Sequence, residues 1–286
     1  MPFGLALAGG GTRGAAHVGV LLALEEEGLI PVSIAGASAG GLVAGLYAAG
    51  LNAKALKEQI LWMQAHSRRL VDPDYIGLLA AVPRLLVRQP TLSGIIKGNQ
   101  LQKYLAGLIG GVDIKDIQTK LVIPAVDLTT GATVAFTSAP ESATSRTGVT
   151  WCGSGNLSDI LRATSAVPGV FQPKIIGDWT LIDGGTTDNL PVDLLVAAGE
   201  SCVLSVDVGA DYTAPHKVEL IEVMAHAFTL MGARLKQYTM HRQKLLLKPA
   251  LPAKAGLLTF DQMEACMDAG YQCAKEQMDI IRALCS

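Results

Sequence analysis

The chain has 286 residues, half of them apolar, 17% charged and 31 of them glycine. A charged fraction below the usual ~25% excludes a disordered chain, and a domain of this size buries roughly three quarters of its unfolded surface without disulfides or a structural metal. The 23 basic and 25 acidic residues leave a formal net charge of −2, which gives no global field for nucleic acid and makes that partner unexpected.

Met1 to Ala8 runs straight into a glycine cluster with no basic region before it, too short an apolar run for a signal peptide, so cytoplasmic residence is the expectation. Phe3 to Ala8 reads as a short buried strand, Gly9 to Gly14 as a loop, and Ala15 to Glu27 as a helix ended by Gly28. Val32 to Ala35 is the next apolar run, and Gly40 to Ala49 has helical composition. This order begins a parallel α/β sheet. The 26 residues from Gly28 to Ala53 carry no charge, long enough for a membrane span. Pro31, Ser33, Ser38, Asn52 and six glycines would weaken a lipid-facing helix, so the run reads instead as a buried strand, turn and helix.

Lys54 to Lys103 is basic, eight cations against three carboxylates, and is interrupted by Pro73, Pro83 and Pro90. With Trp62, Met63 and the apolar run Ile76 to Val82, it reads first as a solvated face over a core stripe. The second reading is an interfacial surface or lid that meets anionic lipid. Leu121 to Val126 with Ala132 to Thr137, and Lys174 to Ile176 with Trp179 to Ile182, read as hairpins. Cys202 to Val208 is expected as a buried strand, Glu219 to His241 as a long helix, Leu245 to Leu247 as a strand and Asp261 to Leu284 as one terminal helix. No repeat or long linker divides residues 1–286, so one domain is expected. The five cysteines show no CxxC spacing and read as idle thiols.

Gly9-Gly10-Gly11-Thr12-Arg13-Gly14 matches a dinucleotide-binding pattern, yet the acid that would hold a ribose about 20 residues later falls inside the uncharged run. What survives is a loop presenting backbone N–H groups at a helix N-terminus, suited to an oxyanion; a structural turn stays open beside it. Gly36-Ala37-Ser38-Ala39-Gly40 is a GxSxG elbow, in which a sharp strand-to-helix turn exposes a serine; a helix contact of the GxxxG type is its bland alternative. None of His17, His66, His216, His226 and His241 sits in a strand-end turn, so none qualifies as its base. Asp183 does, in Leu181-Ile182-Asp183-Gly184-Gly185. With an ordinary pKa near 3.9 it would need desolvation or tight alignment to accept a serine proton, and a simple turn aspartate is the alternative.

In this order the GGGxRG loop, the GxSxG elbow and the DGG turn resemble the patatin-like phospholipase family, the short bacterial members above all, which are similar to the esterase domain of neuropathy target esterase. The likeness extends through Ala163 to Gly169 and Asp188 to Val192, covering about residues 3–208. It implies a three-layer α/β/α fold with a mostly parallel sheet and a Ser38-Asp183 dyad. It also implies an oxyanion hole from the N–H groups of Gly10, Gly11 and Thr12, with Gly9, Arg13 and Gly14 supporting the loop and Gly36, Gly40, Gly184 and Gly185 shaping the turns. The implied activity is hydrolysis of acyl esters of phospholipids or lysophospholipids. No DxDxDG loop appears, so neither calcium nor another cofactor is expected. The competing reading is an adaptor of the same fold that binds a protein partner with little or no hydrolysis.

Overall fold

A computed structural model describes residues 1–74, 93–209, 220–239 and 242–285. The expected apolar run 76–82 and His216 and His241 lie outside them. Gly4–Leu7 (β1), Ser33–Gly36 (β2) and Val203–Val206 (β10) are short strands buried along their whole length. Such unbroken burial is what a parallel sheet covered on both faces requires.

The main sheet runs β11-β10-β1-β2-β4-β5-β6, where β4 is Lys120–Asp127, β5 Thr133–Thr137, β6 Val149–Cys152 and β11 Leu245–Leu247. The pairs β11/β10, β10/β1, β1/β2, β2/β4 and β5/β6 are parallel; β4/β5 is the expected antiparallel hairpin. The second hairpin, Lys174–Ile176 (β8) with Trp179–Asp183 (β9), joins the sheet through β4. Helices pack on both faces, giving a mixed α/β fold with a mostly parallel centre. A separate pair joins Gly94–Ile96 (β3) to Gly169–Phe171 (β7).

One edge of β4 is shared. Residues Lys120–Val122 pair with Ser33–Ala35 of β2, while Ala125–Asp127 pair with Asp183–Leu181 of β9. The strand β2 runs parallel to β4 and β9 antiparallel to it, so the two approach each other head to head and stop on either side of Ile123 and Pro124. The backbone has to leave the sheet at both ends there.

The helices on the cavity side are Ala15–Glu26 (α1), Ala39–Ala48 (α2), Ala53–His66 (α3) and Asn99–Ile109 (α4). Leu157–Thr164 (α5), Val192–Ala197 (α6) and Leu220–Thr239 (α7) follow. The uncharged run therefore holds β2 and α2, and no helix among the described residues is long and apolar enough to cross a membrane. The single terminal helix expected over 261–284 is two, Met263–Glu276 (α8) and Met278–Cys285 (α9), because Gln277 N–H donates back to Ala274 in a tight last turn. Strands β3, β6 and β7 and helices α5 and α6 were not expected from the sequence.

The glycine loop is anchored from behind by α1 and α8. Their backbones touch: a Cβ on Gly19 would lie 1.8 Å from Met267 O, and one on Gly270 1.9 Å from Ala16 O. Neither obstacle is a side chain that can move aside. Gly270→Leu should therefore separate the helices and destabilise the fold by about 3 kcal/mol. Urea unfolding is the measurement, with Gly256→Leu, which meets only the Thr259 side chain at 3.6 Å, as the milder control.

Candidate active site

Ser38 stands where β2 leaves the shared edge. It is the one non-glycine residue with positive φ among those described, at φ 53° and ψ −124°. Such a conformation strains an L-residue, typically by about 1–3 kcal/mol. The elbow glycines make the turn geometrically available: a Cβ on Gly36 would meet Gly40 O at 2.2 Å, and one on Gly40 would meet Leu7 O at 2.3 Å. The turn is held by Ser38 N–H donating to Thr164 Oγ1 at 3.1 Å and by Leu42 N–H donating to Ser38 O at 3.0 Å. The N-terminus of α2 thus lies directly at the serine, with its partial positive charge.

Asp183 stands at the end of β9, fully buried. Its Oδ1 accepts from Gly185 N–H at 2.8 Å, while Oδ2 has no hydrogen-bond partner of full geometry. Burial raises its pKa to about 7, against the smaller lowering influence of the Ser38 hydroxyl and the Gly185 N–H. The structure therefore brings Ser38 and Asp183 together and supplies the desolvation that an aspartate needs to act as a base near neutrality.

The glycine loop follows β1 and turns into α1. Gly10 and Gly11 N–H have no acceptor among the described residues, whereas Thr12 N–H is engaged, donating to Leu257 O at 3.0 Å. The three expected donors are thus unequal: two are open, and the third faces a carbonyl from far along the chain. Arg13 is buried, and its Nε donates to Gly10 O at 3.0 Å, so it braces the loop from inside. Burial pushes its guanidinium pKa down, partly offset by Cys266 and Asp207. Gly14 abuts Ala39 at the start of α2, and Gly9 lies against Ser38, so loop and elbow are in contact.

Three residues of the site were given no role from sequence. Asn189 clips the glycine loop to the DGG turn: its carbonyl accepts from Gly9 N–H at 2.9 Å, its Nδ2 donates to Gly9 O at 3.3 Å, and its Oδ1 faces Gly185. Thr164 holds the elbow. Asp188, nearly buried, has its pKa raised to about 7 by burial and then by Asp193, with Arg146 opposing. Asn189 and Thr164 both fall in the stretches 163–169 and 188–192, where the family likeness continues, which is the signal that pointed toward them.

The described histidines are placed elsewhere. His17 is fully buried on α1, bonded through Nε2 to Ala8 O at 2.8 Å, and burial lowers its pKa to about 4, so it stays neutral and braces the end of β1. His66 stacks on Trp62, and Trp62 on Tyr104. His226 is half-buried on α7. All five cysteines are free thiols, with Cys202, Cys266 and Cys273 buried.

Ser38 and the loop open onto an apolar cavity of about 140 Å³ between α1 and α2 on one side and α3 and α4 on the other. The basic segment thus contributes the cavity wall through α3 and α4, with Met63 on the cavity side.

Residues 5–196 match the family model described as Patatin-like phospholipase. An uncharacterised NTE family protein of Mycobacterium tuberculosis is 29% identical over 211 residues, 74% of this chain and 50% of that protein. A lysophospholipase, NTE1 of Mycosarcoma maydis, is 29% identical over 218 residues, 75% of this chain but 10% of that protein. The chain thus spans half or less of the length of these relatives. Among solved structures, VipD from Legionella pneumophila aligns with a TM-score of 0.54 at 15% identity, over 98% of this chain and 67% of that one. Human GIVD cytosolic phospholipase A2 aligns at 0.52 and 12%, over 99% and 60%. At these identities the likeness establishes the fold.

Two stability measurements follow from the geometry. Ser38→Gly should be more stable than Ser38→Ala by about 1 kcal/mol, because glycine adopts positive φ without strain. For Asp183 the folded pKa of about 7 lies above the unfolded value, so the stability linked to its proton is full below about pH 4 and is lost as pH rises through 7. Asp183→Asn, which keeps the acceptor for Gly185, should match the parent near pH 4. It should exceed the parent at pH 8 by on the order of 4 kcal/mol. Urea midpoints across that range check it, and a difference independent of pH would refute it.

Proposed function

The chain belongs to the patatin-like phospholipase family, and on that premise we propose that it hydrolyses acyl esters of lipids, phospholipids or lysophospholipids, through a Ser38-Asp183 dyad. One observation carries this reading: a carboxylate buried to a pKa of about 7 stands beside a strained serine at the N-terminus of a helix.

The chemistry runs in two halves. Ser38 Oγ attacks the ester carbonyl while its proton passes to Asp183. The developing oxyanion is held by Gly10 and Gly11 N–H, with the N-terminus of α2 adding favourable potential. Collapse of the tetrahedral species breaks the C–O bond, and Asp183 returns the proton to the leaving alcohol. Water then repeats the sequence on the acyl-enzyme, giving the free acid and Ser38. Thr12 N–H, expected as a third donor, is engaged by Leu257 O at 3.0 Å and is left out of this scheme. Nothing in these steps calls on calcium or a cofactor. The basic segment 54–103 contributes through its helices, which wall the cavity.

Fluorophosphonate labelling tests the nucleophile. The label should fall on Ser38 and be absent from Ser38→Ala, with ester hydrolysis reduced on the order of 10⁴-fold or more. A folded parent protein that resists labelling would support the adaptor reading instead. Asp183→Asn should be equally inactive, while His226→Ala should retain activity. Because Asp183 must be ionised to accept the proton, kcat/KM should rise tenfold per pH unit below about 7 and level off above it.

A further inference from the structure

We propose that Lys236 and Asp207 are positioning residues for the oxyanion loop, joined in a buried ion pair that latches α7 and the end of β10 against it. The role rests on the hydrolase reading for what the loop does, and on the packing around the loop for how it is held. Both residues lie beyond the 5–196 span that matches the family model.

Asp207 directly follows β10, which runs beside β1, and Ala8 N–H donates to Val206 O at 3.0 Å just before the glycine loop begins. Its Oδ1 accepts from Lys236 Nζ and from Gly209 N–H at 2.8 Å, and its own N–H donates to Leu247 O at 2.9 Å. The next residue makes the contact: a Cβ on Gly10 would lie 2.6 Å from Val208 Cγ2. Val208 therefore backs Gly10, and Asp207 and Gly209 hold it on either side. From the other direction comes α7. Met224 lies against Gly169 of β7, Gly232 lies against Asn189, with 3.5 Å from a Cβ at Gly232 to Asn189 Cγ, and Lys236 one turn further reaches Asp207. Asn189 in turn clips Gly9 at both its N–H and its carbonyl.

Stability alone does not call for such a pair. Its side chains are 8% and 10% exposed, and no other ion pair among the described residues is as buried at both ends. Replacing a buried ion pair by packed apolar side chains is often neutral or stabilising, so what the ions add is direction. The Asp207 charge also favours the protonated forms of Arg13 and His17, the side chains bonded to the loop carbonyls Gly10 O and Ala8 O.

The test removes both charges together, in Lys236→Met/Asp207→Leu, so that neither is left buried alone. The double variant should keep the parent's urea midpoint, yet kcat for p-nitrophenyl butyrate should fall about tenfold with KM held within about twofold, because small displacements of a positioned group are costly. A trifluoromethyl ketone, which forms an oxyanion reversibly on Ser38, should bind about tenfold more weakly. The pH at which kcat/KM levels off should stay where Asp183 sets it. Hydrogen exchange reads the loop without turnover: Gly9 N–H should exchange about tenfold faster while the amides of β2 keep the parent's rates. A double variant that fails to fold would overturn the latch by making the pair a stability element, and so would one that keeps the parent's kcat and Gly9 exchange. A fall in kcat with Gly9 exchange unmoved, or with the pH profile displaced, would route the effect away from the loop and overturn it too. A parent that neither hydrolyses the ester nor binds the ketone, with Gly9 exchange still responding to the double variant, would overturn the hydrolase reading and leave the hold on the loop standing. Absence of both responses would overturn both.

Discussion

Two strands compete for one edge of β4, and the site exists because neither takes all of it. The parallel strand β2 occupies Lys120–Val122 and the antiparallel strand β9 occupies Ala125–Asp127. Both must end at Ile123 and Pro124, in the middle of a covered sheet. Strand ends usually lie at a sheet margin, where water solvates whatever follows. Here the residues following each strand are released into the interior. They are Ser38 from one direction and Asp183 from the other, both buried.

That placement sets the electrostatics. A carboxylate at an exposed strand end would keep a pKa near 3.9 and would be a poor acceptor for a serine proton. Desolvation at the closed end of β9 raises Asp183 to about 7. The same burial that lowers His17 to about 4 keeps that imidazole neutral and structural. One physical term, the unfavourable transfer of charge out of water, thus moves an acid and a base in opposite directions. The cost is stability: a strained serine and a resisted ionisation are held in place by the well-packed strands around them.

The glycine loop is held against this centre from three distances along the chain. Arg13 braces it from three residues away, Asn189 from 180 and Leu257 from 245. The contact from Leu257 engages Thr12 N–H, so the C-terminal part of the chain bears directly on how many donors the loop presents. The remaining C-terminal helix packing, α8 on α1, fixes the loop from beneath. The part of the chain beyond the family match therefore belongs physically to the site.

Much of this was legible in local pattern. The strand-loop-helix order, both hairpins and the residues Ser38 and Asp183 could be named because each depends on neighbours within a few positions: apolar runs, glycine-framed turns and helical composition. The uncharged run Gly28 to Ala53, ambiguous by length alone, was resolved by Pro31 and its serines and glycines into β2, the elbow and α2. Strands of three or four residues such as β3 and β7 escaped notice because pairing, not periodicity, makes them strands. The break at Gln277 escaped because one tight backbone bond decides it. Sequence by itself determined which side chains are candidates for the chemistry and in what local turns they sit. Only tertiary structure decided that Asp183 is desolvated, that Thr164 and Asn189 clamp the turns, and that Thr12 meets Leu257, because burial and long-range hydrogen bonds are set by residues that meet only after the chain has folded.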